Sequence, residues 1–349
     1  MDWSYIKRRC ARSLRRYRAF RLGRAQLERI GRVCLENARP VTQPIAWISQ
    51  IQRSGGSLLS QLFDGHPELH AHPHEIKIGH PKKYHWPVID PDERPERWFD
   101  RLFEESVIGF LEEGYRKDRG AAVRLPFVFL PALQRKIFLQ HVGGSAPTDR
   151  RVIDAYMTSY FGAWLNNQNY VGPKAWVTGF TPRLFDDPAN AAAFFAAYPD
   201  GLLIAVVRDP KDWFPSAARH NLKIKRDKYG DLNRAIAQWR ASAQAIARNK
   251  QRYGERVRVL RFEELVGDTP GVMRRLSRAM GIRFDEVLLT PTFNRQPIEA
   301  NTSFGRAPAG ILKAAVGRHA SLSGEELAAI EALTAEDYRR LREIAAADR

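Results

Sequence analysis

The chain has 349 residues, 44% of them hydrophobic and 27% charged, with a formal net charge of +17. That length can bury a large core, and the balanced composition excludes a disordered, fibrous or repeat-built protein. No apolar run approaches the ~20 residues of a membrane-spanning helix, and the two cysteines, Cys10 and Cys34, are too few for a disulfide framework or a cysteine zinc site.

The charge is uneven: residues 1–40 carry twelve Lys or Arg against Asp2, Glu28 and Glu36, which is +9 of the +17. In this segment Trp3, Ile6, Cys10, Leu14 and Tyr17 recur at three- and four-residue steps, separated by Arg8, Arg9, Arg12, Arg15 and Arg16. The spacing predicts a basic amphipathic helix, either docked on the body with a solvated arginine face or lying peripherally on an acidic inner-membrane surface. No leader-like apolar stretch precedes it, so a reducing, cytoplasmic compartment is the expectation. Residues 1–40 are read as this helical segment and 41–349 as the main domain.

Beyond Pro40 and Pro44 the chain alternates as an α/β fold does. Strands are predicted at about 45–51, 174–180, 202–207 and 256–261. Helices are predicted near 57–65, 95–117, 127–141, 149–166, 187–197, 210–221, 231–252, 268–280 and 323–345. The run Gly201 to Asp209, "GLLIAVVRD", is apolar throughout, as a strand buried on both faces of a parallel sheet would be. Asp268 is placed to cap the helix that follows, with Pro270 in its first turn and Gly281 past its end. The stretch from Thr290 to Arg318 is rich in Gly, Pro, Asn and Ser and reads as a long loop.

Two places carry chemistry. In "AWISQIQRSGGSLLSQLF" a strand runs into Arg53-Ser54-Gly55-Gly56-Ser57-Leu58 and at once into a helix. Glycines there let successive N–H groups line one concavity, and the helix start adds uncovered donors, so the turn is built for an anion. In "VVRDPKDWFPS" Arg208 ends the buried strand and Ser216 lies eight residues on. A buried strand ending in arginine needs an anion; the plain alternative is an ion pair with Asp209 or Asp212. Both points fall at the C-terminal edge of a parallel sheet, where such folds bind ligands.

These motifs together resemble the sulfotransferase family that uses 3′-phosphoadenosine 5′-phosphosulfate (PAPS). "QRSGGSLLSQLFDGHPEL" is similar to the family's loop for the 5′-phosphosulfate, and Arg208 with Ser216 to its clamp for the 3′-phosphate. "VLRFEELVGDTPGVMRRLSRAMGI" resembles the following strand and helix, and "PTFNRQPIEANTSFGR" the late loop over the nucleotide; the likeness spans about 45–310. The resemblance implies a three-layer sandwich around a central parallel sheet, of P-loop-like sulfotransferase fold. It implies PAPS as donor, PAP (adenosine 3′,5′-bisphosphate) as product, no metal requirement, and O-sulfation of a carbohydrate or other small molecule. Phe262 takes the place of an adenine-side tyrosine, and Ser303 and Arg306 fall in the late loop on the 3′-phosphate side. Arg53 stands where many relatives have lysine.

In-line transfer also needs a base for the acceptor hydroxyl. "HPELHAHPHEIKIGHPKKYHW" holds the candidates, and the resemblance points to Glu75, with His74 as the alternative. His70, His72 and His74 alternate, but no acidic or cysteine partner stands at ligand spacing beside them, so no metal site is expected. Arg183, at another strand end, is a candidate to steer an anionic acceptor. The rival enzyme class, a P-loop kinase, wants G-x-x-x-x-G-K-[ST], and this loop has neither that length nor the lysine. A basic membrane-surface or nucleic-acid binding protein is the other reading, but no recognised nucleic-acid motif accompanies the arginine-rich front.

Overall fold

The computed structural model describes residues 23–77, 85–116, 124–143, 147–223, 231–300 and 309–349. Five strands, β1 (Ile45–Ile48), β2 (Leu69–Ala71), β3 (Trp176–Phe180), β4 (Leu202–Val207) and β5 (Val257–Arg261), form one sheet in the order β2-β3-β1-β4-β5. Every pairing is parallel, and β1 lies in the middle between β3 and β4. The chain leaves β1 for the β2 side and later crosses to the β4 side. A crevice therefore opens beyond the ends of β1 and β4, where strand order reverses.

Both faces of the sheet are covered, because alternate residues of each strand point to opposite sides. Ile45, Trp47, Leu203, Ala205, Val207, Val257 and Val259 enter one core, while Ala46, Ile48, Leu202, Ile204, Val206 and Leu260 enter the other. The first core is closed by α5 (Pro131–Val142), α6 (Asp149–Ala163), α7 (Pro188–Ala197), α9 (Leu232–Tyr253) and α12 (Gly324–Ala347). The second is closed by α2 (Gly56–Phe63), α10 (Phe262–Gly267) and α11 (Thr269–Ala279). This is the expected three-layer α/β sandwich. The remaining helices are α1 (Arg24–Glu36), α3 (Pro95–Leu102), α4 (Ser106–Glu113) and α8 (Pro210–Lys223).

Most predicted elements form within a few residues of their expected bounds. Asp268 caps α11 by accepting from Gly271 N at 3.0 Å, and Gly281 takes φ 61° just beyond it. The predicted helix over 95–117 is instead two helices. Phe103 is extended at the end of α3, and Glu104 turns inward to be 2% exposed. β2 has no counterpart in the sequence reading, since three residues centred on His70 make a weak strand pattern. Within the predicted loop, a hairpin joins β6 (Thr292–Phe293) and β7 (Gln296–Pro297) through Asn294 and Arg295, both at positive φ. Of the basic N-terminal segment, α1 is described, and Cys34, Leu35 and Ala38 pack against the first core. Trp3 to Tyr17, and with them Cys10, lie outside the described residues, as do Ser303 and Arg306. Among the described residues no helix is long and apolar enough to cross a membrane.

Candidate active site

The loop from β1 to α2 is held in an unusual conformation by its own residues. Arg53 has φ 69° and Gly55 φ 100°, and Gly55 is the residue that opens α2. A Cβ on Gly55 would stand 2.5 Å from the Phe262 ring, and one on Gly56 would stand 2.0 Å from Gln50 Nε2 and 2.4 Å from Phe180. Both positions therefore demand glycine for space, and Gly55 for backbone angle as well. The backbone at 55–58 lies against a cavity of about 720 Å³, measured with its open mouth.

That cavity is lined on the cationic side by Arg53, Arg208 and Arg318, with Ser57, Ser216 and Phe262 among the other residues. No Asp or Glu is among its described lining residues. Arg208 is 3% exposed and donates to two carbonyls, Arg53 O at 3.0 Å and Ala315 O at 2.5 Å. Its guanidinium lies over the Phe262 ring, 4.7 Å from the centroid, and its Nε is buried without a hydrogen-bond partner. The ion pair with Asp209 or Asp212 that could have explained Arg208 does not form among the described residues. Asp212 instead accepts from Gly317 N at 2.7 Å, His319 N at 2.9 Å and His319 Nδ1 at 2.7 Å. Burial and the charge of Arg318 push the pKa values of Arg53 and Arg208 down to about 10. Three guanidiniums, one buried and two half-buried, gather around one space and are relieved by a ligand carrying several negative charges.

A second cavity of about 800 Å³ adjoins the first and shares Ser57, Gln61 and Phe180 with it. Its wall includes Glu75, His74, Lys77, Phe110, Tyr115 and Arg116. Glu75 and Ser57 thus line the same cavity, and Ser57 also lines the cavity of the arginines. His74 is a poorer base. Its Nε2 lies 2.7 Å from the Tyr160 hydroxyl and its Nδ1 3.1 Å from Glu75 O, and burial pushes its pKa down to about 4. His70 is separate, stacked on Phe161 with ring centroids 4.8 Å apart. Arg183 lines neither cavity; its guanidinium engages Asp186 at 3.1 Å and Gln238 at 3.3 Å.

Two residues in these surroundings have no role in the sequence reading. Arg318 sits in the stretch read as loop, and only folding brings it to the arginines; Gly317 before it, at φ 83°, was the available signal. Glu104 lay inside a predicted helix, yet it meets His72 Nε2 at 3.2 Å and His74 Nδ1 at 3.7 Å. It supplies the acidic partner that local spacing did not.

The sequence matches the model of the Sulfotransferase family over residues 48–286. Among solved structures, the sulfotransferase domain of the curacin biosynthetic pathway is 16% identical, covering 85% of this chain and 99% of its own, at a TM-score of 0.48. The sulfotransferase domain of the Synechococcus PCC 7002 olefin synthase is 18% identical, covering 88% and 96%, at 0.48. Retinol dehydratase in complex with retinol and PAP is 13% identical, covering 88% and 86%, at 0.40. No curated protein matches the chain. The family match covers more than half of the chain, including the loop at 53–58, the strand end at Arg208 and the helix bearing Ser216, and the chain belongs to the sulfotransferase family, a family of transferase enzymes.

Proposed function

We propose that the chain transfers the sulfuryl group of PAPS to a hydroxyl of a carbohydrate or other small molecule. The observation that carries this reading is the junction of two cavities at Ser57, one walled by three arginines and the other by Glu75. The residues fit a nucleotide with phosphate at both ends. The Gly55-Gly56 cradle has no room for side chains, Arg208 Nε is an orphaned buried donor, and no described carboxylate lines the arginine cavity.

Arg53, Ser54, Ser57, Leu58 and the N–H groups of the loop would hold the 5′-phosphosulfate. Arg208 and Ser216 would hold the 3′-phosphate, joined by Arg318, and Phe262 would offer its apolar face to the base. Ser303 and Arg306 are assigned to the 3′-phosphate side by resemblance. The bound donor supplies an activated sulfur with a good leaving group. Glu75 accepts the proton of the acceptor hydroxyl as that oxygen bonds to sulfur and the bond from sulfur to the 5′-phosphate oxygen breaks. Arg53, Ser57 and the loop N–H groups hold the charge left on that oxygen, stabilisation that needs no reorganisation because the groups are already in place. A kinase reading would require a loop lysine and carboxylates for a metal in the same cavity, and its described lining has neither.

The test is a transfer assay with labelled PAPS against a panel of glycans, lipids and phenols, with Glu75→Gln as control. Label transfer to one acceptor class that disappears in the variant is expected. Absence of transfer across the panel, or full transfer by the variant, would contradict the reading.

A further inference from the structure

We propose that His72, His74 and Glu104 form a binding site for one divalent transition-metal ion of the zinc class, separate from the transfer chemistry. His72 and His74 flank Pro73 at the bend that follows β2, and both rings come within reach of Glu104. The break between α3 and α4 turns Glu104 in to meet them. The side chains of His72 and Glu104 are fully buried and that of His74 is 6% exposed. The potential ligand atoms lie within 4.8 Å of one another. A tetrahedral ion with bonds of ~2.0–2.2 Å holds neighbouring ligand atoms about 3.3–3.5 Å apart. The separations of 3.2 Å for His72 Nε2 to Glu104 and 3.7 Å for His74 Nδ1 to Glu104 straddle that value.

The outer contacts orient the rings as metal-bound imidazoles are oriented. His72 Nδ1 lies 3.0 Å from His74 O, which can only accept, so Nδ1 carries the proton and Nε2 turns its lone pair inward. Nε2 makes no hydrogen bond although a Glu104 oxygen is 3.2 Å away. Two electron-rich atoms facing each other at that distance are stabilised by a cation between them. The rival account is a His72–Glu104 ion pair without a metal, and titration with Zn²⁺ separates the two. His74 Nδ1 lies 3.1 Å from Glu75 O as well as 3.7 Å from Glu104 Oε2, so binding an ion requires this ring to donate through Nε2 to the Tyr160 hydroxyl and to exchange the Glu75 carbonyl for the ion. Glu104 Oε2 also accepts from Lys77 N at 3.0 Å, so the carboxylate is fixed on its other side.

Two imidazoles and one carboxylate are a donor set for zinc, cobalt or nickel rather than for magnesium or calcium. The ion would pin the segment 72–77 to the α3–α4 junction and so stiffen the wall that presents Glu75.

Metal-stripped wild-type protein titrated calorimetrically with Zn²⁺ is expected to bind one ion per chain. Titrated with Co²⁺ it should develop the visible absorption of a tetrahedral complex. Glu104→Gln and His72→Gln should each weaken Zn²⁺ binding by at least about 100-fold, and His85→Ala should leave it unchanged. Stripped wild-type protein that is folded by circular dichroism and takes up neither ion would overturn the proposal, as would binding that survives both substitutions. If either variant fails to fold, Tm of the wild type across a Zn²⁺ series decides: a rising Tm supports the site and a constant Tm overturns it.

Discussion

Arg208→Ala separates a ligand-binding arginine from a structural one. The guanidinium donates to the carbonyls of Arg53 and Ala315 through its terminal nitrogens, its Nε is buried without a hydrogen-bond partner, and the residue lines the cavity. A charge-assisted hydrogen bond contributes about 1.5–3 kcal/mol, so losing the contact to a 3′-phosphate should weaken PAP about 10- to 150-fold. The same substitution leaves two carbonyls short of a donor, costing stability on the order of 1–3 kcal/mol. That loss is read independently by urea unfolding. The comparison ligand is adenosine 5′-phosphosulfate, which has no 3′-phosphate. Calorimetric titration of both ligands into both proteins should show a large loss for PAP and a change under about threefold for the comparison ligand. Equal losses for the two would mean that Arg208 shapes the loop through Arg53 O and does not read the 3′-phosphate.

Gly55→Ala places a Cβ 2.5 Å from Phe262 at φ 100°. It should destabilise the fold by about 1–3 kcal/mol and abolish detectable PAP binding, checked by unfolding and titration. Glu75→Gln should remove turnover while PAP affinity stays within about twofold of wild type, as expected for a group that acts on the acceptor. Burial pushes the Asp154 pKa up to about 6 even though Tyr198 donates to its carboxylate at 2.7 Å. The charged form is therefore penalised in the native state above that pH, and the penalty is absent below the unfolded value. Asp154→Asn should accordingly gain about 1–3 kcal/mol at pH 7.5 and nothing at pH 3.5, measured by urea unfolding. A gain at both pH values would show that the charge is not the cause.

The strands and the anion loop were legible because each is written locally. "GLLIAVVRD" is apolar on both faces, and the glycine turn stands between a strand and a helix. Arg208 and Ser216 were legible by spacing. Glu104 was not, because its partners His72 and His74 lie about thirty residues earlier and its own neighbours favour helix. The inward turn that breaks that helix is a tertiary contact overriding local preference. β2 escaped notice for a similar reason: its register comes from pairing with β3, from Leu69 opposite Trp176 to Ala71 opposite Thr178, and three residues carry too little pattern alone. Arg318 reached the cavity through the Asp212 contacts that anchor residues 317–319, a placement no periodicity announces.

The most direct test of the account is calorimetric titration of the wild-type protein with PAP in the presence of EDTA. One nucleotide bound per chain, with ATP and Mg²⁺ binding far more weakly, is the predicted result. No binding of PAP together with tight binding of ATP and Mg²⁺ would contradict the assignment of the arginine-walled cavity to a sulfuryl donor.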